Sequence, residues 1–189
     1  MKSAIIVIDM LKDSIYKNPS SPMAKEASRI VTKIQKLITL GRKQKFPVIF
    51  ACDSFRADDF IFEEGWKPHS IEGTKNAQLI DELNPLEGDI ILKKRRLSAF
   101  FRTDLDLSLK RMGVETIILC GISTQFCILA TAFDGISSDF RVILTKDCCA
   151  CHRADFHSKL IEIYEHTVLF PLFKVSSLDE LGQEIENAD

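Results

Sequence analysis

The sequence lacks any long apolar run. Its most apolar opening stretch, Ala4 to Ile8, stops at Asp9, far short of the roughly 20 residues of a membrane-crossing helix and too short for the apolar part of a secretory leader. It also lacks an excess of charge of either sign. Lys and Arg number 25 against 27 Asp and Glu, a formal net charge of -2, which excludes a broad electrostatic footprint for nucleic acid or an anionic membrane. Glycine and proline, 8 and 6 in all, gather into no flexible or stiff linker, and no internal repeat is present. What is there is an ordinary globular composition, 46% hydrophobic and 28% charged over 189 residues, which fits one core, so residues 1–189 are expected to form a single domain. The six cysteines read as free thiols in a reducing compartment, and a cytoplasmic protein is expected.

Ala4-Ile5-Ile6-Val7-Ile8 is a continuous, largely β-branched run, the pattern of a strand covered on both faces. Comparable runs recur at 47–51, 89–92, 116–120 and 141–144, with a weaker one at His166–Phe170. Between them lie stretches of helical period at Met23–Lys43, Leu105–Met112, Gln125–Gly135 and Ala154–Tyr164. Strand alternating with helix from end to end predicts an α/β fold, a mostly parallel six-stranded sheet with helices on both faces. Residues 53–74 show no clean period, and a loop of that length in a compact domain usually carries function or moves.

In open parallel sheets ligands bind beyond the carboxyl ends of the strands, where strand order reverses. Asp9 follows the first strand, Cys52-Asp53 the second, Lys93-Lys94 the third, and the turn Gly121 to Cys127 the fourth. An acid, a base and a thiol therefore share one rim. Cys127 is expected in the first turn of a helix, where the helix dipole and a nearby Lys94 would activate it as a thiolate that reacts with iodoacetamide well below pH 8. Backbone N–H groups of the same turn could stabilise an oxyanion. A buried core cysteine is the plain alternative for Cys127, and a solvated strand end the plain reading of the basic run Lys93-Lys94-Arg95-Arg96.

The same residues carry a family resemblance. The stretch Lys94-Arg-Arg-Leu-Ser98-Ala99-Phe100, the turn Gly121-Ile-Ser-Thr124-Gln-Phe-Cys127, the opening Val7-Ile8-Asp9-Met10 and the middle segment from Trp66 through His69 to Thr74 occur in order over about residues 3–165. Together they resemble the isochorismatase-like cysteine hydrolase superfamily. The resemblance implies a Rossmann-like three-layer α/β/α fold, a catalytic triad of Asp9, Lys94 and Cys127, and a cis peptide at Ile122–Ser123 that aims the N–H groups of Ser123 and Cys127 into an oxyanion hole. Lys94 rather than Lys93 matches the family lysine by its spacing from Ser98. A thiol at position 127 favours the C–N hydrolase branch with N-carbamoylsarcosine amidases and nicotinamidases. Nicotinamidases pair that triad with a metal site; here Asp53 and His69 match two of its ligands while Phe55 stands where a histidine belongs, so no metal and no other cofactor is expected. Arg153, Trp66 and Phe126 are the expected substrate contacts, Arg153 for a carboxylate. The expectation is a cysteine amidohydrolase acting on a small carbamoyl or amide substrate, with nicotinamidase activity or a non-catalytic binding protein as alternatives, and a homo-oligomer with no nucleic-acid or membrane partner. Cys148-Cys149-Ala150-Cys151-His152 lacks the second pair that closes a structural metal site and reads as partly buried thiols. His157 and His166 read as structural histidines.

Overall fold

A computed structural model describes residues 2–187. One sheet of six strands organises them: β1 (Ser3–Ile8), β2 (Val48–Asp53), β3 (Ile90–Lys94), β4 (Thr116–Ile122), β5 (Arg141–Ala150) and β6 (Phe173–Ser176). The spatial order is β3-β2-β1-β4-β5-β6, and every neighbouring pair is parallel. Strand order therefore reverses between β1 and β4, the crevice at which open α/β sheets bind ligands.

Six α-helices cover the sheet: α1 (Lys12–Ile15), α2 (Pro22–Lys43), α3 (Leu105–Arg111), α4 (Leu129–Ser137), α5 (Ala154–Glu165) and α6 (Leu178–Glu186). The odd-numbered β1 positions Ile5 and Val7 pack with Ile30, Ile34 and Leu37 of α2 and Leu181 of α6. Ala4, Ile6 and Ile8 pack on the opposite face with Leu105 and Leu109 of α3, Ala132 of α4 and Ile161 of α5. That alternation makes three layers and explains why β1 reads as unbroken apolar sequence. The long α2 starts where Ser21 accepts a hydrogen bond from the Ala24 N–H at 3.1 Å with Pro22 in the first turn, the usual start signal of a helix. No helix among the described residues is long and apolar enough to cross a membrane.

Three elements depart from the sequence reading, the short unpredicted helix α1 among them. The run His166–Phe170 is not a strand; Val168 is 98% exposed, and the sixth strand lies just beyond Pro171, where Phe173 is fully buried and pairs with Val142. Apolarity marked the wrong residues because Pro171 has no N–H for a ladder and the segment before it buries little. Helix α6 went unread, although Ser177 and Glu180 form a reciprocal capping box at its start. The 53–74 loop is pinned, with the Phe55 N–H donating to Ser70 O at 3.1 Å and a buried Asp59 holding Arg95 and Arg96.

Gly121 on β4 brings the switch point together. Its φ is +112°, and a Cβ there would sit 2.1 Å from the backbone oxygen of Ile8. Only glycine lets β4 pass that close to the end of β1. Gly121→Ala is expected to lower stability by about 2–4 kcal/mol, from left-handed backbone and overlap together, read as a fall in the thermal midpoint; a midpoint equal to the parent's would show that the two strand ends separate freely.

Candidate active site

Just past β1, Asp9 adopts φ 53°, a left-handed conformation that aspartate tolerates better than most residues. Its N–H donates to Ala51 O at 2.9 Å and its Oδ1 accepts from the Asp53 N–H at 2.8 Å, which ties the ends of β1 and β2. β3 ends on Lys94, which alternation turns inward while Lys93 faces out and pairs with Glu72 at 3.1 Å. Lys94 is 0% exposed. Its Nζ lies 2.5 Å from Asp53 Oδ1, 2.9 Å from Asp9 Oδ2 and 3.5 Å from Cys127 Sγ. The basic run thus divides three ways, since Arg95 and Arg96 both turn to Asp59.

Cys127 comes from the turn after β4. The Ile122–Ser123 peptide is cis, and residues Thr124–Ile128 form a π-helical turn before α4 begins. Cys127 therefore sits in a widened turn rather than in the first turn of an α-helix as the sequence suggested, and it is 6% exposed.

The electrostatics follow from one ammonium among three acids. Burial by itself lowers Lys94, but Asp9, Cys127 and Asp53 outweigh it and hold the ammonium above the ordinary lysine range. Burial and the Asp9 charge push Asp53 up to about 7, with Lys94 opposing. Burial, then Asp9, pushes the Cys127 thiol well up, and Lys94 only partly offsets them. The expected resting thiolate is therefore corrected: a single cation already shared by two carboxylates leaves the sulfur protonated at neutral pH. Asp9 is paired with Lys94 through Oδ2 at 2.9 Å and is hydrogen-bonded to the Cys127 thiol, which makes it the acceptor for that proton in the same cluster.

These groups open onto a cavity of about 610 Å³ lined by Asp9, Asp53, Ser123 and Cys127 together with Trp66, His69, Phe126 and His152, a size ordinary for small-molecule sites. The Trp66 ring meets both Phe126 and His69 edge-on, each at 5.6 Å between centroids. Two of the three sequence-expected substrate contacts, Trp66 and Phe126, line it. Arg153 does not. It precedes α5 outside the cavity, where its guanidinium pairs with Asp155 at 2.7 Å and lies 4.0 Å over the Phe156 ring; the neighbouring His152 lines the cavity in its stead. Sequence reasoning also missed Asp13, Ser14, Ser21 and Met23, which reach the cavity from the α1–α2 corner and share no motif with the rim residues.

The residues at the degenerate metal position do not fit a metal. Asp53 is taken by Lys94, Phe55 offers a carbon ring buried against His69, and His69 Nδ1 is 2.9 Å from Lys67 O. Among the described residues the grouping of three potential ligands is Asp9, Asp53 and Cys127, and Lys94 already supplies the positive charge there. The cysteines 148, 149 and 151 are free and buried.

Comparison with known proteins agrees with this geometry. The isochorismatase domain model matches residues 3–171. The chain is 29% identical over 165 residues to maleamate amidohydrolase of Pseudomonas putida, covering 82% of this chain and 76% of that one. Its fold superposes on N-carbamoylsarcosine amidase of Thermoplasma acidophilum with a TM-score of 0.81 at 30% identity, covering 95% and 98% of the two chains, and on nicotinamidase/pyrazinamidase PncA of Bacillus subtilis with a TM-score of 0.80 at 27% identity, covering 94% and 100%.

Proposed function

The chain belongs to the isochorismatase family, and from that premise we propose that it is a cysteine-dependent amidohydrolase that cleaves the C–N bond of a small carbamoyl or amide substrate through a thioester. The observation that carries this reading is the meeting of Cys127, Lys94 and an acceptor oxygen of Asp9 at one cavity. Cys127 Sγ attacks the amide carbonyl carbon while its proton passes to Asp9 Oδ2; the carbonyl π electrons move to oxygen, where the N–H groups of Ser123 and Cys127 receive the charge. As the tetrahedral intermediate collapses, the C–N bond breaks and Asp9 delivers its proton to the departing amine. Water then adds to the thioester with Asp9 again taking the proton, and the acid leaves as the thiol re-forms. Lys94 stays paired with Asp9 and beside the sulfur through these steps. Maleamate amidohydrolase and N-carbamoylsarcosine amidase, the relatives named above, support an amide or ureido substrate bearing a carboxylate.

The aromatic wall of Trp66 and Phe126 favours a second reading, a flat heteroaromatic amide such as nicotinamide. Ammonia release separates the two. A panel of N-carbamoylsarcosine, other ureido acids, maleamate, simple amides and nicotinamide, assayed with and without chelator, is expected to show chelator-insensitive release from a ureido or amido acid. Release from nicotinamide alone, suppressed by chelator, would replace the first reading by the second.

A further inference from the structure

The turn that carries Cys127 is braced from behind by a side chain that the mechanism does not use. Thr124, the first residue of the π-turn, is fully buried. Its backbone oxygen accepts from the Leu129 N–H, five residues on, so the hydrogen bond that closes the turn spans Cys127. Its hydroxyl Oγ1 lies 2.9 Å from Nδ1 of His157 on α5, and His157 Nε2 lies 3.0 Å from the carbonyl oxygen of Lys146 on β5.

The polarity of this relay follows from its ends. A carbonyl only accepts, so Nε2 carries the ring proton. Burial lowers the His157 pKa, so the ring is neutral, Nδ1 is a bare acceptor, and the Thr124 hydroxyl donates to it. The Lys146 carbonyl is free for the purpose because the β4–β5 register steps from Leu119↔Leu144 to Gly121↔Cys149, which takes the intervening β5 residues out of the ladder with β4. A bulge, a helix and the nucleophile turn are thereby joined through one imidazole.

We propose that His157 is a positioning residue for the Cys127 turn, acting through Thr124 to keep the sulfur beside Asp9 and Lys94. This rests on the reading of Cys127 as nucleophile. It goes beyond that reading in assigning a role to a side chain that lies behind the turn and is not among the residues lining the substrate cavity.

The test uses His157→Leu, Thr124→Val and His157→Gln, the last because its amide offers one acceptor and one donor in place of the two ring nitrogens. His157→Leu and Thr124→Val are each expected to lower kcat about tenfold with KM changed less than about threefold, and to speed iodoacetamide labelling of Cys127 at pH 8.5 about fivefold as the released turn exposes the sulfur. Combining the two should add little to either alone, since both cut the same relay. His157→Gln should return both readings to near the parent's, which a merely space-filling role for the ring would not produce. Labelling of Cys127 at the parent's rate in His157→Leu, in protein shown folded by its melting curve, would overturn the proposal, as would a His157→Gln variant that behaves like His157→Leu. Because labelling needs no substrate, a parent protein that hydrolyses no amide would sink the functional reading while the labelling ratios still decide this one.

Discussion

Cys127→Ala is expected to fold like the parent and to lose amide hydrolysis by at least about a thousandfold, the scale on which removal of a covalent nucleophile registers. The fold should survive because the sulfur is a small group in the apolar layer between β1 and helices α3, α4 and α5, and truncating one atom there costs about 1 kcal/mol. Cys127→Ser makes the sharper comparison. It keeps the shape, but a hydroxyl holds its proton far more tightly than a thiol, and the acceptor is a carboxylate already paired with Lys94 at 2.9 Å. Serine should therefore be nearly as inactive as alanine. Ammonia release with the best substrate of the panel, alongside melting curves, checks both. Retention of more than about a tenth of the parent's activity in Cys127→Ala would mean that water attacks the amide directly and that no thioester forms. The protonated resting thiol adds a second expectation: in the free protein Cys127 reacts with iodoacetamide no faster below pH 8 than an ordinary thiol.

Most of the architecture was legible because apolar periodicity reports which faces are buried. The first five strands and helices α2 to α5 lie where their patterns put them, give or take a few residues at each end, except that β5 runs on to Ala150 beyond its apolar stretch. The rim position of Asp9, Lys94 and the Cys127 turn followed from strand ends alone, since in a parallel sheet all carboxyl ends point one way. What was illegible depended on side-chain partners. Asp53 read as half of a lost metal site, yet it is the shortest contact of Lys94, and nothing in the spacing of 53 and 94 tells an ammonium's partner from a metal's. Arg153 read as a substrate contact from its place after β5, but whether that residue or His152 faces the cavity depends on how the chain leaves the strand, and a one-residue change of direction decides it. The π-turn was equally hidden, because Gln125–Gly135 has the same helical period whether or not one extra residue widens its start.

Lys94→Met is expected to abolish turnover and to destabilise the protein by about 3–5 kcal/mol, the usual result of removing one partner from a buried charge pair. The loss should depend on pH, and its direction is fixed by which state binds the proton more tightly. In the parent, Asp53 titrates at about 7 against an ordinary aspartate value of 3.8. The folded state therefore holds that proton more tightly than the unfolded one, and the stability this group contributes at low pH declines as the pH rises from about 4 to about 7. Lys94 is what keeps Asp53 from rising further. Without the ammonium Asp53 moves up, and the window of loss extends above pH 7. The gap in melting temperature between parent and Lys94→Met should be small at pH 5, where a proton neutralises Asp53, and widest at pH 8 to 9. A gap of equal size at both ends would show that methionine's shape, not the missing charge, is responsible. Adding Asp53→Asn to Lys94→Met supplies the control that separates stability from catalysis. One unpaired carboxylate is gone, so melting at high pH should recover in part, while turnover stays absent because Asp9 and Cys127 still lack the ammonium that sits between them in the parent.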